Sequence, residues 1–253
     1  MRGILLSCTL FILLSFTSTE TVSTRFAAPE GYKRLRAPAG SFGAWLQTRP
    51  LKPRGSKTLT YKGSVARTDD NTAAVIDMSI GQYDLQQCAD AVIRLRAEYL
   101  FAKKDYQAIH FNFTSGFNCD FIHYADGYRY QPNETWKKIA AKDYSYASFL
   151  HYLDLVFSYA GTLSLEKELK KVDNPTQIQT GDVFIKGGSP GHCFMVMNVS
   201  INHAGQRKFM LAQSFIPAQN IQLLQYGSPW FSLDKPVYLP YGEIVNASNL
   251  RRF

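Results

Sequence analysis

The sequence predicts a single domain of the α+β class, in which helices and antiparallel strands occupy separate stretches of the chain. Apolar residues recur at intervals of three and four between Asp84 and Lys103 and again across residues 144–161, which is the period of an amphipathic helix. Short apolar runs at residues 182–185, 192–200 and 207–213, separated by turns, predict strands. No internal repeat and no low-complexity segment divides the chain.

The first half of the chain alternates between strand-like and helical patterns. We expect residues 56–61 and 73–80 to form strands. Asp84 can cap the helix that follows, because Gln87 stands three residues further on, in the position of a capping box. Cys88 is therefore expected in the first turns of this helix. The apolar face of the helix consists of Leu85, Cys88, Ala89, Val92, Leu95 and Tyr99.

The remaining segments are shorter and carry weaker patterns. Residues 107–113 alternate between apolar and polar side chains and predict a strand, and residues 119–130 predict a mixture of strand and loop. Residues 133–141 and residues 162–172 are each expected to form a short helix. The tail after residue 214 is rich in proline and is expected to be mostly loop.

Composition and charge exclude several classes of protein. The chain has 253 residues, of which 45% are hydrophobic and 19% charged, which is enough for one sizeable core and argues against a disordered or fibrous protein. Its net charge of +8 favours anionic partners such as cell wall or lipid head groups, although a generic basic surface is the alternative. Nucleic acid is not predicted as a partner, because the basic residues are scattered.

The N-terminal segment predicts export. Residues 1–23 form a predicted secretory signal peptide, with a positive start, an apolar stretch from Ile4 to Phe16 and small polar residues after it. Residues 24–40 are expected to be a linker and residues 41–253 a single α+β domain. The predicted localisation is secreted or periplasmic, without a lipid anchor at Cys8. No later run is long and apolar enough to predict a transmembrane segment.

Three cysteines follow the predicted signal peptide: Cys88, Cys119 and Cys193. Because three is odd, at least one thiol is free or pairs between chains, and a free thiol in an oxidising compartment is a candidate nucleophile. Cys88 is that candidate, because a helix N-terminus favours the thiolate. Gln86, Gln87 and the Cys88 backbone N–H can donate to a developing oxyanion. The alternative for Cys88 is a structural cysteine on the apolar face of its helix.

His192 stands at the first position of a run that otherwise predicts a buried strand. A core strand needs no titratable ring there, so His192 is a candidate catalytic base; the alternative is a histidine that ends the strand and bonds a loop carbonyl. The next predicted strand ends in Gln213, whose side-chain carbonyl can hold one imidazole nitrogen. The chain order of the candidate catalytic residues is then Cys88, His192 and Gln213.

The stretch "GDVFIKGGSPGH", residues 181–192, resembles the second half of papain-like NlpC/P60 and CHAP cysteine hydrolases. The resemblance implies a papain-like fold, in which a helix packs on an antiparallel sheet. It implies Cys88 as nucleophile, His192 as base and Gln213 as the orienting residue. The chain departs from the pattern in two respects: Cys88 follows "LQQ" and not the usual aspartate of those families, and roughly a hundred residues separate Cys88 from His192.

A longer resemblance covers almost the whole chain after the predicted signal peptide. It is carried by the blocks "DLQQCADAVIRLRAEYL", "YAGTLSLEKEL", "GDVFIKGGSPGH" and "LAQSFIPAQ". On these blocks the chain is similar to bacterial secreted proteins known as domain of unknown function 4846. That name implies no activity, so the chemistry rests on the residues themselves.

Two functions of different classes follow as hypotheses. The first is a secreted cell-envelope thiol hydrolase that cleaves amide bonds, for example in peptidoglycan peptides, through an acyl-enzyme on Cys88 with His192 as base. The second is a non-catalytic module that binds envelope glycan or peptide, with the aromatic-rich residues 144–159 and 226–230 lining a groove; core packing is the alternative for the first of these. Neither hypothesis requires a cofactor, and no metal site is predicted, because metal-ligand spacings are absent.

Overall fold

The computed structural model describes residues 19–253. Most of its strands belong to one antiparallel sheet, and two short hairpins lie outside it. Within residues 19–253 the strands are β1 (Tyr32–Arg34), β2 (Thr72–Val75), β3 (His110–Asn112), β4 (Asn118–Asp120), β5 (Tyr128–Gln131), β6 (Thr135–Lys138), β7 (Lys170–Lys171), β8 (Val183–Lys186), β9 (His192–Asn202), β10 (Arg207–Gln213), β11 (Gln222–Leu224) and β12 (Leu250–Arg252).

The large sheet has eight strands in the order β2-β11-β10-β9-β8-β12-β7, and β1 pairs with the far end of β9. Neighbouring strands in this sheet are antiparallel. A mixed α and β fold built on an antiparallel sheet is therefore confirmed. The prediction of β10 matches the observed bounds, and β8 and β9 lie within a few residues of their predicted positions.

The central strand β9 is buried on both faces of the sheet. Cys193 and Met195 point into the larger core cluster, whereas Phe194 and Val196 belong to a second cluster on the opposite face. Because alternate side chains of a strand point to opposite faces, a strand covered on both sides must be apolar throughout. This explains the unbroken apolar run that follows His192.

The larger core lies between the sheet and the two longest helices. Both helices were predicted from their apolar period. They contribute buried residues such as Leu95 and Leu153 to this core. The second cluster is closed by the C-terminal tail, which contributes Leu239 and Ile244. Within residues 19–253 the α-helices are α1 (Val22–Arg25), α2 (Phe42–Gln47), α3 (Cys88–Ala102), α4 (Phe121–Ala125), α5 (Tyr146–Tyr159) and α6 (Thr162–Glu168).

Helix α3 begins later than the sequence predicted. Its N-cap is Gln87, and the side chain of Asp90 accepts the Gln87 backbone N–H at 3.0 Å, so Asp84 is not the cap. The Asp84 carboxylate instead accepts the backbone N–H of Ala218 at 2.6 Å. Cys88 is consequently the first residue of the helix, closer to the free N–H groups of the helix N-terminus than we expected.

Several other sequence predictions are corrected by the structure. Residues 133–141 do not form a helix. Instead β6 pairs with β5 in a hairpin, which is stabilised by contacts between the two strands and not by contacts within a helix. Of the strand predicted at residues 56–61, only isolated bridges form, at Leu59 and Thr60. The strand predicted at residues 73–80 is reduced to β2.

The segment predicted as a linker, residues 24–40, belongs to the fold. Its strand β1 pairs with β9, so hydrogen bonds along the sheet order it. Of the predicted signal peptide, residues 1–23, the first 18 residues lie outside the described residues, and Cys8 is among them. Val22, however, is fully buried in the larger core, and Glu20 forms salt bridges with arginines of the domain. Residues 20–23 are therefore part of the folded domain.

The part of the chain that the structure describes contains no helix that combines the length and apolar character needed to cross a bilayer.

Candidate active site at the start of the central strand

Cys88 lies at a cleft beside the start of β9. Its side chain is half-buried at the N-terminus of α3. The cleft has a volume of about 420 Å³ and is bordered by α3, by the end of α5 and by the loop that carries Gly188 and Gly191. Phe157, Ile216 and Tyr241 give it apolar walls. A thiol on the first turn of a helix is thus presented to an open cavity large enough for a small substrate.

His192 and Gln213 are brought together as predicted. The His192 Nε2 atom lies 2.7 Å from the Gln213 Oε1 atom, and both side chains are buried. An amide oxygen only accepts hydrogen bonds, so Nε2 carries the proton and donates it to Gln213. The remaining ring nitrogen, Nδ1, is left for another partner. This contact therefore fixes both the tautomer and the angle of the imidazole ring.

Aromatic rings enclose the imidazole. The ring of Tyr241 stacks on His192 with centroids 4.8 Å apart and planes 19° apart, and Phe194 and Phe215 pack against its edges. Tyr241 has φ 62° and ψ 14°, a left-handed conformation that costs a residue with a side chain about 1–2 kcal/mol. A strained residue covering the candidate base is consistent with a site that is held in one geometry by its surroundings.

The Cys88 thiol is acidic. Hydrogen bonding from Cys193 and then from His192, together with the charge of the His192 ring, outweighs burial and lowers the pKa of Cys88 to about 5. The Ala89 backbone N–H at the helix start acts in the same direction. The lowered pKa favours the thiolate, the reactive form of cysteine.

The other two cysteines behave differently. All three thiols in residues 19–253 are free. The odd number of cysteines had predicted that at least one thiol is free or pairs between chains. Burial raises the pKa of Cys119 well above its usual range, and burial together with the neighbouring Cys88 raises the pKa of Cys193. Cys193 adjoins His192 in sequence, but its side chain is fully buried on the α3 face of the sheet. Burial therefore argues against Cys193 as a second nucleophile.

The two predicted oxyanion donors occupy different places. Gln87 borders the cleft, but its Nε2 atom donates to Asp84 at 3.3 Å. Gln86 is buried; its Oε1 atom accepts from Arg94 Nη1 at 3.3 Å, while its Nε2 atom has no partner within residues 19–253. The Cys88 backbone N–H, as a first-turn amide, has no acceptor within the helix. It is the donor best placed for an oxyanion at Cys88.

Asp90 is a neighbour of Cys88 that the sequence did not predict as part of the site. It is buried, and burial raises the pKa of its carboxyl well above the usual range. Its side chain also accepts the Gln87 backbone N–H at the start of α3, so it helps to fix the turn that carries Cys88. The signal available in the sequence was its position three residues after Gln87, where a helix cap is expected.

Ser214 was also missed and joins the two halves of the site. Its Oγ atom lies 2.8 Å from the Gln86 carbonyl oxygen and 2.9 Å from the Gln219 carbonyl oxygen, so its one proton is shared between them. The residue before Ser214 is Gln213, and Gln86 lies two residues before Cys88. This contact ties the nucleophile segment to the segment that orients His192.

The aromatic side chains of residues 144–159 are divided between the core and the surface, where Tyr146 and Tyr159 are about half exposed. Phe149, Tyr152 and Phe157 of α5 are buried in the larger core, as the alternative reading of that segment held. In residues 226–230 an aromatic side chain does lie on the surface: Tyr226 is exposed and packs on Tyr238, with ring centroids 5.5 Å apart. Among residues 19–253 no cluster of histidine, cysteine and acidic side chains is arranged to hold a metal ion.

The fold and this site define a mixed α and β protein with a cysteine, a histidine and a glutamine gathered at one end of its central strands. A family model described as "Domain of unknown function (4846)" matches residues 22–250, and the chain belongs to that family, as predicted. No curated protein and no solved structure matches the chain.

Proposed function

We propose that this protein is a thiol hydrolase of the cell envelope that cleaves amide bonds by papain-like chemistry. The observation that carries the proposal is the contact in which His192 Nε2 donates to Gln213 at 2.7 Å, next to a cysteine at a helix N-terminus. His192 is also among the groups that lower the pKa of Cys88. Nucleophile, base and orienting group in this order are what an acyl-transfer site requires. The likeness of residues 181–192 to NlpC/P60 and CHAP hydrolases points the same way.

In the first half of the reaction the Cys88 thiolate attacks the carbonyl carbon of the amide. The carbonyl electrons move to oxygen, and the Cys88 backbone N–H donates to the oxyanion. The imidazolium of His192 gives its Nδ1 proton to the amide nitrogen as the carbon–nitrogen bond breaks. The amine leaves, and the acyl group remains as a thioester on Cys88.

In the second half water replaces the amine. The neutral His192 ring takes a proton from water through Nδ1, and the hydroxide attacks the thioester carbon. The carbon–sulfur bond breaks, which releases the carboxylic acid and restores the Cys88 thiolate beside the imidazolium. Gln213 holds the ring in one orientation through both halves, so the same nitrogen faces substrate each time.

The proposed substrate is a cell-wall peptide, and the proposed location is secreted or periplasmic. The net charge of +8 suits an anionic wall or membrane surface. The pattern of the chain before the folded domain is that of an export signal. No cofactor enters either half of the reaction, because each proton and electron pair is accounted for by Cys88, His192 and water.

The alternative function is a non-catalytic module that binds envelope glycan or peptide. The exposed, mutually packed pair Tyr226 and Tyr238 favours it, because exposed aromatic faces are common at carbohydrate and peptide contacts. Such a module does not need an acidic thiol at Cys88. Turnover and thiol chemistry at Cys88 therefore distinguish the two functions.

The test is release of primary amine from purified cell-wall peptides, combined with intact-mass detection of an acyl adduct on the protein. The wild-type chain should release amine and carry the adduct on Cys88. Cys88→Ser should do neither, whereas Cys119→Ser should keep both, because Cys119 is buried away from the cleft. Binding of the peptides without amine release or adduct, equal in wild type and Cys88→Ser, would favour the binding module.

A further inference from the structure

A second cavity opens along α3, away from the cleft at Cys88. It has a volume of about 390 Å³ and is bordered by α2, by the turn before β8 and by the end of β12. Arg96 of α3 borders it, eight residues after Cys88, which is about 12 Å along the helix axis. The cavity shares no bordering residue with the cleft at Cys88.

Arg96 is a half-buried cation with no acidic side chain at salt-bridge distance among the described residues. Its guanidinium carbon lies 5.2 Å from the ring centroid of Phe42, 5.5 Å from that of Tyr99 and 5.1 Å from that of Phe253. Burial lowers the pKa of Arg96, which reflects the cost of removing its charge from water, and Asp105 raises this pKa only from farther away. Across residues 19–253 no carboxylate forms a salt bridge with it.

Two arginines close to Arg96 do have acidic partners. Arg94, two residues earlier on the same helix, pairs with Glu98 at 2.7 Å. Arg252, which also borders the cavity, donates to both oxygens of the buried Asp182. A charged side chain taken out of water is normally compensated in this way. The three rings around Arg96 supply part of that compensation, but they leave its N–H donors without an anion.

The cavity is cationic and apolar at the same time. Arg36, Arg96 and Arg252 border it, and no aspartate or glutamate side chain does so among the described residues. Much of the remaining border is apolar and includes Leu35 and Phe42. Its volume falls within the range of about 300–1,000 Å³ that is usual for small-molecule sites.

We propose that this cavity binds a small organic anion, a carboxylate with an apolar or aromatic body, through the guanidinium of Arg96. The planar fork of an arginine matches a carboxylate in two parallel hydrogen bonds, which satisfies the donors that Arg96 leaves free. The apolar border accepts the body of the ligand. An inorganic anion would satisfy the charge but would leave this apolar surface and most of the volume unused.

The test is calorimetric titration of the full chain with three probes: phenylpropionate, the matching alcohol phenylpropanol, and inorganic phosphate. Phenylpropionate should bind more tightly than either of the others. Arg96→Gln should weaken it at least about tenfold, because a charge-assisted hydrogen bond pair is lost. The affinity of Arg96→Lys for phenylpropionate should lie between those of wild type and Arg96→Gln, because lysine keeps the charge but lacks the planar pair of donors. Arg67→Gln, at an exposed arginine outside the cavity, should bind as wild type does.

Thermal unfolding of Arg96→Gln checks that the fold is intact; if it is not, Arg36→Gln is the second variant and should weaken phenylpropionate by a smaller factor. Phenylpropanol or phosphate binding as tightly as phenylpropionate would overturn the proposal. The proposal would also be overturned if Arg96→Gln and Arg67→Gln lost affinity for phenylpropionate equally, or if millimolar phenylpropionate gave no heat of binding. Cys88→Ala should leave the affinity unchanged, which separates this site from the proposed hydrolase.

Discussion

Cys88 and Cys119 are the same kind of side chain in two contrasting surroundings. Both are free thiols that pack in or against the larger core, and Cys119 on β4 is fully buried. Burial raises the pKa of Cys119, as expected for a group whose charged form loses its water. At Cys88 burial acts in the same direction but is outweighed by Cys193, His192 and the helix start. Neighbouring donors, and not exposure alone, decide which thiol is reactive.

Cys193 sharpens the contrast, because it lies next to the candidate base in sequence. Its pKa is raised by burial and by the charge of Cys88, while the pKa of Cys88 is lowered by hydrogen bonding from Cys193. The two neighbouring thiols are thus shifted in opposite directions, and Cys88 is the one whose thiolate is favoured. The position of Cys88 beside the N–H groups of α3 and at the cleft accounts for that choice.

The largest expected effect comes from removing the base. His192→Ala should lower amide hydrolysis by about 10²- to 10⁴-fold, the usual contribution of a general acid–base group, and should raise the pKa of Cys88. Steady-state amine release and the ultraviolet absorbance of the thiolate measure the two effects. His203→Ala, at an exposed histidine of the β9–β10 turn, is the matched control and should behave as wild type does. Wild-type turnover by His192→Ala would exclude His192 as the base.

A smaller effect is expected from the orienting residue. Gln213→Ala should lower the hydrolysis rate by up to about 100-fold, because the imidazole ring loses its fixed angle. Gln213→Asn should be almost as slow, since its carbonyl is drawn back from the 2.7 Å contact. Gln213→Glu should retain more activity, because a carboxylate keeps the acceptor and stabilises the imidazolium.

Labelling of Cys88 by iodoacetamide should survive in the folded Gln213→Ala variant. Gln206→Ala, at the far end of the same two strands, should have no effect on the hydrolysis rate. If Gln213→Glu were as slow as Gln213→Ala while both remained folded, Gln213 would be only a neighbour of His192.

The smallest expected effect concerns the donor thiol. Cys193→Ala should raise the pKa of Cys88, because it removes the hydrogen bond that lowers this pKa most. Alkylation of Cys88 near pH 5 should then slow several-fold, whereas alkylation near pH 9 should be unchanged, because the thiolate is formed there in both proteins. Mass-spectrometric rates at the two pH values measure this difference. Unchanged labelling near pH 5 would show that Cys193 has no part in the acidity of Cys88.

Much of the central fold could be predicted from the sequence, because its signals are local. The apolar period of α3 and α5 extends over several turns, and β8, β9 and β10 are separated by distinct turns. The contact between His192 and Gln213 was predictable for the same reason: the two residues lie at the adjacent ends of neighbouring antiparallel strands.

The remainder depends on contacts that local patterns do not encode. The hairpin of β5 and β6 is held by cross-strand pairing, so a helix was predicted in place of β6. Strand β1 has only three residues and is ordered by β9, far away in sequence. The acidity of Cys88 likewise depends on Cys193, which reaches it only through tertiary packing.

The most direct measurement of the central claim is the rate of iodoacetamide labelling of Cys88, Cys119 and Cys193 in the native protein as a function of pH. Because the folded pKa of Cys88 is lowered to about 5 from 9.0, its thiolate forms as pH rises through 5, well below the normal range of a thiol. Cys88 should therefore label fastest, with half its maximal rate near pH 5, while the two buried thiols stay slow. Equal, slow labelling of all three, or a Cys88 profile that rises only near pH 9, would contradict the account.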